Sequence, residues 1–231
     1  MIPKTPIKAI LSDAGDLLFF GGGYTKAFFY DFVKNKSGEN GTNLPSQEEI
    51  YRSYKKYRNR SFTEKNYSYA DACRETLQEL GMEQHTEEYL ALNKPSDIRT
   101  TGQINETLQR IRALGLDFYI ASDADKNEAD YWRMVDYLGI KGVQGIVSSK
   151  DAGFMKPAPE FFDFALRKYD LKKEEAAFLA HDYDELKGAY DYGFPMVLAC
   201  SYDPTDDLSF IPEDRKVGEF KDVSGLLAKL L

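Results

Sequence analysis

The sequence predicts an α/β fold: a parallel sheet flanked by helices, with a smaller all-helical unit inserted after the first strand. Two observations predict it. From residue 100 onward, short apolar runs alternate with amphipathic stretches. This is the pattern of βα units feeding a parallel sheet, whose strands are covered on both faces and read as apolar runs. Residues 21–95 break that rhythm with tyrosine-rich, charged segments of helical character and no convincing strand between them. The core accordingly comprises 1–20 and 96–231, and the helical unit 21–95.

Taken in order, "IKAILS" is the first strand. "YTKAFFYDFVKNK", "EEIYRSYKKYRNR" and "YADACRETLQELG" are helices, and "NKSGENGTNLPSQ" is a Gly/Asn/Ser loop between two of them. "GQINETLQRIRALG" places Ile104, Leu108, Ile111 and Leu114 at helical spacing and stops on Gly115. "LDFYIAS" is a strand, "KNEADYWRMVDYLGI" a helix and "VQGIVSS" a strand. "PEFFDFALRKYDL" is a helix with Pro157 and Pro159 near its start. "AAFLAH", "DELKGAYDYG" and "PMVLACS" continue as strand, helix and strand, and "VSGLLAKLL" is a terminal packing helix. The expected core sheet therefore has five strands.

The 231 residues are enough for a sizeable core, and 42% hydrophobic with 29% charged residues is the make-up of an ordinary globular protein. A net charge of -8 disfavours nucleic acid and anionic membranes as partners, since polyanions are repelled at long range. Cys73 and Cys200 stand alone, so neither a disulfide framework nor a CxxC metal knuckle is expected. With only His85 and His181, a multi-histidine zinc site is not expected either. The start "MIPKTPIKAILSDAG" carries no long apolar segment, and no run of about 18 apolar residues follows. A soluble, cytoplasmic protein is the reading.

Ligands gather at the carboxyl ends of the strands in an open parallel sheet. There stand Asp13, Ser122, the segment containing Lys156, and Asp182. Two carboxylates, a hydroxyl and an ammonium suit phosphoryl chemistry around a hard divalent cation, with one carboxylate free to act as nucleophile.

Four motifs, "AILSDAGDLLF", "FYIASDADK", "SSKDAGFMKPAPEFFDFAL" and "AAFLAHDYDELKGAYDYGFPMVLA", occur in that order along nearly the whole chain. The set resembles the haloacid dehalogenase-like hydrolases, and residues 21–95 lie where that family carries a helical cap over a Rossmann-like core. The resemblance implies a Mg²⁺-dependent phosphatase of a small phosphorylated metabolite, working through an aspartyl-phosphate. It casts Asp13 as nucleophile, Ser122 and Lys156 as holders of the phosphoryl oxygens, and Asp13, the Gly15 carbonyl, Asp182 and a second acid as metal ligands. Asp184 or Glu185 supplies that acid, and spacing to Gly188-Ala189 favours Glu185. Arg58, on one helical face with Tyr51 and Tyr54, is the candidate to grip an anionic substrate; the alternative is a solvated helix with an aromatic core face.

Three departures stand out. Gly15 occupies the position of the family's general acid/base aspartate, a function worth roughly 10² to 10⁴-fold in rate. Asp16 and Leu17 replace the usual Gly and Thr, with Asp16 either a displaced acid or a turn carboxylate. His181 replaces a glycine, and is either structural or a proton donor. Two further readings follow. One is a metal-independent 2-haloacid dehalogenase, a class that also lacks the second aspartate. Asp123 stands where its anion-binding asparagine is expected, and Phe161 and Phe162 leave no tyrosine. The other is an impaired member that binds a phosphorylated ligand or a protein partner.

Overall fold

A computed structural model describes residues 6–21, 26–40, 44–92 and 97–231. The first strand, β1 (Ala9–Ser12), is fully buried and lies inside the main sheet. Next along the chain come β2 (Phe19–Gly21) and four helices, α1 (Lys26–Asn40), α2 (Gln47–Thr63), α3 (Tyr69–Glu79) and α4 (Thr86–Leu92). Then follow β3 (Ile98–Thr100), α5 (Ile104–Ala113), β4 (Asp117–Ser122), α6 (Glu128–Tyr137) and β5 (Gly145–Ser148). The remainder is α7 (Ser149–Ala152), α8 (Pro159–Lys168), β6 (Ala176–Ala180), α9 (Tyr183–Tyr192), β7 (Met196–Cys200), β8 (Lys216–Val217) and α10 (Val223–Leu230).

The main sheet runs β5-β4-β1-β6-β7-β8, all pairs parallel. It holds the five expected strands and a sixth, β8, whose two residues are too few to show a pattern. Successive residues of β1 point to opposite faces. Ile10 joins Leu108, Ile111, Val135 and Leu227 in one layer, while Leu11 joins Phe161, Phe162, Phe178 and Leu186 in the other. Both faces are thus covered, as an all-parallel sheet requires.

The helical unit has its own core, in which Phe29, Val33, Ile50, Cys73, Leu77 and Tyr89 are fully buried. Capping boxes start α2 (Ser46 with Glu49) and α3 (Ser68 with Asp71) and satisfy end N–H groups. The Gly/Asn/Ser loop is shorter than expected: α1 continues through Asn40, because the buried Phe29–Val33 face carries the helix past its polar end, and 41–43 fall outside the described residues. A second, antiparallel pair was not expected at all. In it β2 pairs with β3, Phe19 opposite Thr100 and Gly21 opposite Ile98. The 20/21 boundary falls inside β2, and the 95/96 boundary touches residue 96, outside the described residues. Among the described residues no helix is long and apolar enough to cross a membrane.

Candidate active site

Strand register brings the chemistry together. Ser12 of β1 pairs with Ile120 of β4 on one side and Leu179 of β6 on the other. Asp13, Ser122 and His181 therefore leave the sheet at neighbouring strand ends. The Asp13 N–H donates to the Leu179 carbonyl at 2.8 Å, which holds the residue at the edge of the sheet.

The Asp13 carboxylate is buried and bound on both oxygens' sides: Lys156 Nζ donates to Oδ1, and His181 Nδ1 lies 3.4 Å from Oδ2. The same ammonium reaches Glu185 Oε1 at 2.9 Å. Lys156 is itself buried, placed by a close approach of two elements: a Cβ on Gly188 of α9 would stand 2.1 Å from the Pro157 Cβ. Only glycine lets α9 lie against the Lys156-Pro157 segment.

Burial disfavours charge on Asp13, but the Lys156 ammonium and the His181 imidazole outweigh it and hold the carboxyl below its ordinary range. Lys156 moves upward for the reciprocal reason, the charges of Asp13, Glu185 and Asp123 exceeding the effect of burial. Glu185 goes the other way: burial, then the neighbouring Asp13 charge, push it up to about 8. Its Oε2 is buried with no hydrogen-bond partner among the described residues. A protonated Glu185 beside an ionised Asp13 resolves the conflict of two carboxyls around one ammonium. His181 is raised, its interaction with Asp13 outweighing burial.

The metal set expected from sequence does not assemble. A hard divalent ion needs several oxygens around one point. Here Asp182 is exposed and caps α9, accepting from the N–H groups of Asp184 (2.9 Å) and Glu185 (3.4 Å). The Lys156 ammonium contacts both Asp13 and Glu185. Among the described residues no three His, Cys, Asp or Glu side chains form a metal-holding group. The residues present therefore do not fit Mg²⁺.

A cavity of about 510 Å³ opens beside this cluster, lined by Gly15, Ser122 and Asp123 from the strand ends and by Tyr54, Arg58 and Phe62 from α2. Arg58 is fixed there: it donates to Ser61 Oγ at 2.8 Å, lies 4.3 Å and 4.4 Å from the ring centres of Phe62 and Tyr69, and pairs with Asp125 at 3.8 Å. Neighbouring cations are spent on the surface, Lys56 on Glu79 and Arg60 on Glu64 and Glu75. Tyr54 accompanies Arg58 at the cavity, but Tyr51 packs edge-on to Tyr30.

Asp16 is a turn residue, with φ of 54° and its N–H donating to the Phe19 carbonyl at 2.8 Å. Gly15 has open space around the place a Cβ would occupy. Phe161 and Phe162 are core residues.

Sequence reasoning missed two groups, Asp125 and Lys150, and gave Asp123 only as the residue in place of an anion-binding asparagine. Asp123 lines the cavity, its Oδ1 accepting the Lys156 N–H at 3.1 Å, and burial raises its carboxyl to about 6. Asp125 pairs with Arg58, and the run "SDAD" was the available signal for both acids. Lys150, from α7, donates to the carbonyls of Ser61 (2.9 Å), Glu64 and Tyr67 (2.7 Å), clasping the C-terminal end of α2. No sequence pattern announces a lysine that binds backbone.

Residues 7–189 match the family model described as haloacid dehalogenase-like hydrolase. No curated protein matches in sequence. Among solved structures, the L-2-haloacid dehalogenase from Xanthobacter autotrophicus is similar with a TM-score of 0.65 at 15% identity, over 97% of this chain and 100% of that one. Its form with chloropropionic acid covalently bound gives 0.64 at 13%, with the same coverage. The 2-haloacid dehalogenase from Pseudomonas syringae pv. Tomato DC3000 gives 0.62 at 15%, again over 97% and 100%. At such identities the likeness is one of fold.

Proposed function

Because the chain belongs to the haloacid dehalogenase-like hydrolases, we propose that it is a metal-independent 2-haloacid dehalogenase in which Asp13 displaces the halide. One observation carries this reading: an ionised carboxylate is held by Lys156 and His181, while residue 15 supplies no acid. An alkoxide leaving a phosphate ester needs a proton, and a departing halide does not. The halide-releasing step does not use the group that Gly15 lacks.

In the first step an Asp13 oxygen attacks the substrate's C2 from the side opposite the halogen. A C–O ester bond forms, the C–X bond breaks and halide leaves with the electron pair. Arg58 binds the substrate carboxylate, and Ser122 at the end of β4 donates to it. In the second step water adds to the Asp13 carbonyl carbon and the acyl C–O bond breaks, restoring the aspartate and releasing a 2-hydroxy acid. The ester has no charge, so the Asp13 contribution to the raised Glu185 value disappears, leaving burial opposed by the Lys156 ammonium. Glu185 loses its proton to solvent, takes the water's proton through its unpartnered Oε2 and hands it to the departing alkoxide oxygen, and the acid re-formed on Asp13 releases the net proton to solvent.

The substrate is a small molecule; its being a haloacid, rather than the phosphorylated metabolite first expected, rests on the Gly15 argument and on the poor fit to Mg²⁺. Cys73 and Cys200 are buried and unbridged, which suits a reducing cytoplasm.

The test is halide release from 2-haloacids with a chelator present. Release that persists with chelator and vanishes in Asp13→Asn supports the proposal. Mg²⁺-dependent phosphate release from phosphorylated metabolites, with no halide from any haloacid, replaces it with the phosphatase reading.

A further inference from the structure

The cavity next to Asp13 is larger than the chemistry alone requires. Its roughly 510 Å³ lies within the ~300–1,000 Å³ that accommodates drug-sized ligands. A water molecule's share of volume is about 30 Å³, so a two- or three-carbon acid fills only a small part of it.

The lining is divided by element. The end of β4 and the loop after it supply Ser122, Asp123, Asp125 and Lys126, and Asp16 adds a third carboxyl, so the charged side of the cavity holds three acids against Arg58 and Lys126. The ribbon and α6 supply Phe19, Phe20, Ile98, Tyr131 and Met134, and Phe62 of α2 adds a sixth apolar wall. Phe20, 50% exposed, leaves apolar surface open at the cavity. Apolar surface left open in a concave site beside a fixed guanidinium is the composition of a pocket for an anion with an apolar body.

Resting on the dehalogenase reading, we propose that the preferred substrate is a 2-haloacid whose C2 carries a bulky apolar group, alkyl or aryl, seated on the β2–β3 ribbon and α6. Arg58 holds the carboxylate and Asp13 faces C2. The overall conversion is R–CHX–COO⁻ plus water to R–CHOH–COO⁻, halide and a proton. The apolar group takes no part in bond making, and its burial draws the acid into register.

The test is bromide release from bromoacetate, 2-bromopropionate, 2-bromohexanoate and 2-bromo-2-phenylacetate. Burial of a methylene is worth about fourfold in kcat/KM, so 2-bromohexanoate exceeds 2-bromopropionate by up to about 60-fold over three added methylenes. Phe20→Ser, at a half-exposed position where folding is not at stake, lowers the hexanoate-to-propionate ratio several-fold. Met134→Trp, which fills the cavity from α6, lowers it further. Equal or better turnover of the short acids overturns the substrate class while leaving the dehalogenase reading in place. Absence of bromide from all four acids overturns that reading, and the substrate class with it.

Discussion

Replacing Asp123 by asparagine exposes the electrostatic cost of a carboxyl placed in this cavity. Burial is the leading cause of its shift from the ordinary 3.8 to about 6; Lys156, by charge and by its N–H, pulls the other way, and Asp13 and Asp182 add to the rise. A carboxyl with a raised folded value binds its proton more tightly when folded. Its contribution favours the folded state most below 3.8 and is lost as pH climbs through about 6. The difference, about 2 pH units at 1.36 kcal/mol each, is about 3 kcal/mol. Asparagine does not titrate and still accepts the Lys156 N–H through its amide oxygen. Urea denaturation of both proteins should therefore show the stability of Asp123→Asn, relative to wild type, growing by about 2.4 kcal/mol, the greater part of that difference, between about pH 4 and pH 8. A difference that stays flat across that range refutes the reasoning. In kinetics, the substitution lowers KM for an anionic substrate, most above pH 6, where the wild-type carboxylate is charged.

Gly188→Ala forces a methyl group onto Pro157 and costs about 1–3 kcal/mol by overpacking, seen as a lowered Tm together with weakened activity as Lys156 moves. Lys150→Met strips three carbonyls at the end of α2 of their charged donor; hydrogen exchange over 60–67 accelerates and stability falls by about 1–3 kcal/mol. Gly15→Asp finds room for its side chain, folds normally and does not raise halide release. A gain of Mg²⁺-dependent phosphate release from phosphorylated metabolites in the same variant would count against halide as the leaving group.

The strand ends were legible because the chemistry stands directly after apolar runs: Asp13 after "KAILS", Ser122 after "DFYIA", Lys156 before a helix opened by Pro159. The long elements were legible for a related reason, since α5 and α8 bury one clean face each. The β2–β3 ribbon was not, because three-residue strands carry no period and pairing across about 80 residues leaves no local mark. Asp182 illustrates a second signal that sequence reasoning did not use. An aspartate followed by Asp184 and Glu185 at a helix start is an N-cap with an acidic first turn, and the structure uses it that way. His181 was undecided between two roles in sequence; its approach to Asp13 depends on β1 and β6 being neighbours, a fact of topology.

The pairing of Gly21 with Ile98 has a consequence for how such a protein can change. Seen from the sheet, everything between those two residues is the loop of a single hairpin, entering and leaving at adjacent points. Loop length weighs only logarithmically on the free energy of closing it. Helices can be lengthened, traded or rebuilt within that loop while Asp13 and Lys156, anchored elsewhere, keep their geometry. What those helices bring to the cavity, Tyr54, Arg58 and Phe62, can thus change without moving the strand-end chemistry, across a seam two strands wide.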